Sequence, residues 1–175
     1  MNYKLILLFL FALLTDYFVF FPLSGTKETL IVPVLLVAIA VTADYNSMLL
    51  AGFLFSGAAE LIGGFNTGTL ILPFLGVALI YFGMDKFLSL KSAQYRFQDG
   101  ILRLVPETLL VAGLVYIFQT LSFMAARFIH GEGLEYARSL HFYNYKILII
   151  VLIQTFIVVG LLKYTRSKPK YGIYA

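Results

Sequence analysis

The sequence predicts an all-α membrane protein, a six-transmembrane-helix bundle with N-in and C-in termini. Three observations predict it. The chain of 175 residues is 61% hydrophobic and 13% charged, with a mean hydropathy of +0.90; soluble domains hold about 45–50% apolar and about 25% charged residues. Its apolar residues fall into six runs close to the length of a spanning helix, about 20 residues. Lys and Arg are also distributed unevenly between alternate breaks, nine on one side and four on the other.

The runs follow in order. The first extends from Leu5 to about Leu23 and ends at Ser24-Gly25-Thr26-Lys27-Glu28. Met1-Asn2-Tyr3-Lys4 ahead of it imitates a secretory signal, but no small-x-small cleavage site follows, so it reads as a retained first helix. The second, about Thr29 to Ala43, is short and broken by Asp44-Tyr45-Asn46-Ser47; the third runs from Met48 to about Gly64. These two either cross fully or form a re-entrant hairpin. The fourth runs from Thr69 to about Leu88, the fifth from about Ile101 to Phe123, and the sixth from Ile147 to Leu162. Residues 1–163 therefore make one transmembrane domain and residues 164–175 a basic cytoplasmic tail. No internal repeat aligns convincingly, so the inverted-repeat signature of transporters is missing.

Orientation follows from the cationic residues of short loops, which favour the cytoplasmic side. With the N-terminus inside, the inner regions hold Lys4, Lys86, Lys91, Arg96, Arg103, Lys163, Arg166, Lys168 and Lys170; the outer ones hold Lys27, Arg127, Arg138 and Lys146. Seventeen Phe and twelve Tyr stand in for the missing Trp as interfacial anchors. The net charge of +4 is small and scattered, which argues against nucleic acid. The absence of cysteine excludes disulfides, thiolate metal sites and cysteine nucleophiles.

The densest pattern is the segment from Gly52 to Gly68. Gly52, Ser56, Glu60 and Gly64 are spaced by four and share one helical face, which Gly57, Ala58 and Ala59 widen with small side chains. Small residues let a second helix approach closely in lipid. A carboxylate at the bilayer centre costs at least about 2.5–3.5 kcal/mol, so Glu60 should face the bundle interior or a polar cavity, or lie at the membrane edge. Its roles are a cap or bridge to neighbouring helices, or a site that binds a ligand or carries protons. Gly63, Gly64 and Gly68 permit a tight turn into the next helix.

Gly52, Phe53, Ser56, Glu60, Leu61, Gly64 and Gly68 resemble the hallmark of the MreD family of rod shape-determining membrane proteins, G-F-x-x-G-x-x-x-D-L-x-x-G-x-x-x-G. Ser56 stands where glycine is usual and Glu60 where aspartate is usual. Pro33 also resembles a family proline, and the likeness covers about Pro33 to Asp85. It implies a non-enzymatic scaffold in the bacterial cytoplasmic membrane, working with an MreC-like protein and other rod-complex components in peptidoglycan synthesis, with a fold similar to the S components of energy-coupling-factor transporters. No catalysis and no cofactor is implied. The rival reading is a substrate-binding S component of a small-molecule transporter. Such subunits carry an Ala-x-x-x-Ala docking surface on the first helix, where this chain has only Ala12. A lipid-directed membrane enzyme is a third reading, for which no diphosphate- or metal-holding motif is present.

The other polar residues carry less. Asp16 lies either near the outer end of its helix or in an internal polar contact. Pro106 is expected to kink the fifth helix, and Arg103, four residues before Glu107, to form an ion pair with it. Asp16, Glu60, Arg103 and Glu107 are thus the candidate intramembrane polar contacts. Asp85-Lys86 reads as a solvated helix end, with Lys86 favourable at the C-terminal dipole. His130, Glu132, Glu135 and His141 lack compact metal-ligand spacing, so no metal site is expected. Residues 134–145 suit an interfacial amphipathic helix.

Overall fold

The computed structural model describes residues 3–20, 31–42, 45–88, 104–131 and 145–165. Among these it contains six α-helices and no strand. Helix α1 is Tyr3–Thr15 and runs on into a wider π-helical turn, Asp16–Phe20. Then come α2 (Ile31–Thr42), α3 (Tyr45–Gly63), α4 (Ile71–Leu88), α5 (Leu104–His130) and α6 (Tyr145–Thr165). The polar stretch after α4 with Arg103, the proposed interfacial helix at 134–145 up to residue 144 and the tail from Arg166 lie outside the described residues; Tyr145, Tyr164 and Thr165 belong to α6.

Helix α2 is the axis of the bundle. It packs against each of the other five helices, and every residue from Val32 to Val41 is buried. A helix that is apolar on all sides belongs inside, and the sequence IVPVLLVAIAVT has no polar face before its final Thr42. The other five helices each bury one face and turn large apolar residues outward: Leu7, Phe11 and Phe18 on the first, Leu50 and Leu61 on α3, Leu79 and Phe87 on α4, Phe128 on α5 and Ile157 on α6. Stacked Phe9 and Phe55 rings, with centroids 4.2 Å apart, join α1 to α3.

Two helices are long and apolar enough to cross a membrane, Ile71–Leu88 and Leu104–Ile129. Four shorter apolar helices accompany them, Leu5–Val19, Ile31–Val41, Leu49–Gly63 and Leu148–Leu162.

The residues one turn before Pro106 lie outside the described ones, so the expected kink does too; Pro106 is the third residue of α5 as described. Pro33 and Pro73 hold the same third position in α2 and α4. Helix α5 also outruns its expected end at Phe123, through Arg127 to His130, and stops where Gly131 takes φ +64°.

A candidate site at the acid-clamped end of the bundle

Glu60 is the side chain around which the site is built. It lies in the last turn of α3 and is 3% exposed. Its carboxylate accepts hydrogen bonds from the amides of Gly68 (3.0 Å), Leu70 (2.6 Å) and Ile71 (2.9 Å). These are donors at the entry of α4, which have no partner within that helix. A negative group there is also favoured by the helix dipole. The Glu60 backbone carbonyl in turn accepts the Phe65 amide at 3.0 Å, across Gly64 at φ +63°. That is the bond that closes a Schellman cap, with glycine in the left-handed position. One residue thus ends α3 and starts α4.

The glycines around it have separate tasks. Gly68 takes φ +96°, a left-handed conformation that L side chains rarely adopt. A methyl group at Gly52 would run into the Phe74 ring of α4, and one at Gly63 into the Tyr17 hydroxyl and the Phe65 ring. The expected stripe of Gly52, Ser56 and Glu60 is buried. Gly64 lies beyond the helix end and is exposed. Ser56 donates to the Phe53 carbonyl at 3.1 Å. Gly57 has ordinary space against Ile71, while Phe53 and Leu61 point outward, Leu61 at 86% exposure.

Asp16 makes the same kind of clamp. Fully buried, it accepts the amides of Ile31 (3.0 Å) and Val32 (2.7 Å) at the start of α2; the next residue, Pro33, brings no amide. Its neighbour Tyr17 donates to the Ala59 carbonyl of α3 at 3.0 Å. Ser122 of α5 donates to the Thr69 carbonyl at 2.8 Å, and Thr69 to the Asn66 carbonyl at 2.7 Å. Asp16, Tyr17, Glu60, Thr69 and Ser122 therefore form one polar layer at one end of the bundle, linking α1, α2, α3, α4 and α5.

Glu107 does not join that layer. It lies in the first turn of α5, fifteen residues before Ser122, which is about 22 Å along a helix axis. It is buried at the opposite end, where Tyr81 is within electrostatic range of both Asp85 and Glu107. Tyr81 donates to the Val41 carbonyl at 3.1 Å and ties down the last turn of α2. The three acids among the candidate intramembrane polar contacts thus separate into a pair, Asp16 and Glu60, and a single residue, Glu107. Arg103 lies outside the described residues, and Lys86 is exposed at the end of α4.

Sequence reasoning missed the roles of Tyr17, Ser122 and Tyr81. Each donates a side-chain hydroxyl to a backbone carbonyl of another segment, and no spacing rule records such a bond. Chemically, the layer consists of carboxylates saturated by backbone amides and hydroxyls donating to carbonyls, an arrangement that fixes helix ends. No family model matches the chain, and neither a curated protein nor a solved structure matches it.

Proposed function

We propose that this chain is a multi-pass protein of the bacterial cytoplasmic membrane. Its six helices cross the bilayer with both termini inside, and it acts as a non-enzymatic scaffold of the MreD kind, docking an MreC-like partner and other rod-complex proteins. The belt of outward Leu, Ile and Phe on α1, α3, α4, α5 and α6 supports the membrane reading, because a soluble monomer rarely exposes apolar patches beyond a few hundred Å². On this reading the polar layer lies at the outer end and Lys86 at the inner end.

The observation that carries the scaffold reading is the Glu60 clamp. The one motif with an acid at its centre directs that acid to three backbone amides of its own hairpin, while Phe53 and Leu61 of the same motif face outward. A group so engaged shapes a rigid hairpin for contact. Ala12 of α1 is buried, which leaves that helix no outward alanine strip of the kind an S component uses, and this favours the scaffold over the transporter reading.

The test is a mild-detergent pull-down of the tagged chain from its native membrane, with mass spectrometry of the retained proteins. Recovery of an MreC-like protein supports the scaffold. An ATPase pair with a coupling membrane subunit in its place overturns it in favour of a transporter, and recovery of neither partner set counts against docking altogether.

A further inference from the structure

The two acid clamps sit on matching sequence. Helix α2 opens Ile31-Val32-Pro33-Val34-Leu35-Leu36-Val37-Ala38 and α4 opens Ile71-Leu72-Pro73-Phe74-Leu75-Gly76-Val77-Ala78, with five of eight residues identical. The identity extends upstream through Thr29-Leu30 and Thr69-Leu70. The structure repeats with the sequence. In each case the last turn of the preceding described helical segment carries a buried carboxylate, Asp16 or Glu60, which accepts the amide of Ile31 or Ile71. In each case proline is the third residue of the clamped helix.

We infer that α1–α2 and α3–α4 are two tandem copies of one acid-clamped helical hairpin, in which Asp16 and Glu60 are the same positioning residue used twice. The Tyr17 hydroxyl on the Ala59 carbonyl places the C-terminal ends of α1 and α3 together, so the copies run in the same direction. That corrects the expectation of no internal repeat; the repeat is parallel, and the inverted arrangement is not what the alignment reveals.

The three unmatched positions have local causes. Phe74 lies over Gly52 and Gly76 faces Leu121 of α5, where a β-carbon would come within 2.8 Å of a Leu121 methyl. Leu72 is exposed where Val32 is enclosed. The residues that define the clamp are retained, and the residues that differ meet different neighbours. In each hairpin the acid is met by amides at the start of that hairpin's own second helix. The device serves whatever partner the bundle docks.

The test is amide hydrogen–deuterium exchange of the full chain in lipid nanodiscs, comparing D16N, E60Q, D16E and E60D with the parent. Loss of a charge-assisted bond should speed local exchange roughly tenfold or more. Two copies of one device predict that D16N speeds exchange at Ile31–Val32 alone, that E60Q speeds it at Gly68–Ile71 alone, and that D16E and E60D stay close to the parent. Loosening of both hairpins by either amide variant, or no change at the matching helix start, overturns the inference. Should the amide variants fail to fold, the carboxylate exchanges decide it: protection kept at both helix starts supports interchangeable acids, and protection lost at either one refutes them.

Discussion

Helices α2 and α4 start with nearly the same residues, third-position proline and carboxylate clamp included, and occupy opposite surroundings. Around α2 stand five other helices, and Val32 to Val41 are all buried. Helix α4 meets protein on one side only and turns Leu72, Leu79 and Phe87 outward. Equivalent positions make the contrast plain: Ile39 is 1% exposed and Leu79, its counterpart forty residues on, is 71% exposed. Local chemistry at the helix start is therefore set by the residues of the hairpin itself. What the rest of the helix touches is set by elements far along the chain, α5 and α6 above all.

The comparison can be broken at several points. The largest effect is expected from removing a clamp. Asp16→Ala or Glu60→Ala leaves amides at a buried helix start without an acceptor, and bonds to charged groups contribute about 1.5–3 kcal/mol each. Either variant should lose most of its resistance to SDS-induced unfolding followed by circular dichroism. A loss under 1 kcal/mol, an order of magnitude estimate from the same scale, would mean that the clamps are incidental.

Next comes the pair that tests the surroundings. Ile39→Ala should cost about 2–5 kcal/mol, the range for a large-to-small change in a closed core. Leu79→Ala, at the matching position on an outward face, should stay within about 0.5 kcal/mol. Equal effects in the same unfolding assay would erase the distinction between the enclosed and the peripheral copy. Gly52→Leu drives a side chain into the Phe74 ring and should cost about 1–3 kcal/mol by overpacking. A thermal shift assay should show it, with rescue by the compensating Phe74→Ala. The smallest effect is Ser122→Ala, which removes one hydroxyl bond to the Thr69 carbonyl and should cost about 1 kcal/mol.

The helical class and the six helices of the described residues were legible in the apolar runs, because a run of about twenty residues carries its own signal. The buried face of α3 was legible too, since Gly52, Ser56 and Glu60 recur at helical spacing. The partners of Glu60 were not: they are main-chain amides eight to eleven residues on, and every residue but proline has an amide. Hydropathy ranked α2 with the other apolar runs, since it cannot tell a neighbour made of lipid from a neighbour made of leucine. The repeat escaped because its matching stretch is short and the two acids stand at different distances from it, fifteen residues before Ile31 and eleven before Ile71.

The wide turn at the end of α1 has a consequence for the tolerance of the chain to change. A π-helical turn holds more residues than an α-helical one, and here two adjacent side chains, Asp16 and Tyr17, reach to different helices, one to α2 and the other to α3. Deleting one residue from the turn just ahead of Asp16 would swing both side chains by about 100° around the axis and uncouple one hairpin from the other. Substitutions on the exposed side of that turn, at Phe18 or Val19, leave the angular register untouched. Phe18 and Val19 should therefore accept many changes of letter, while the chain leading into Asp16 and Tyr17 accepts almost no change of length.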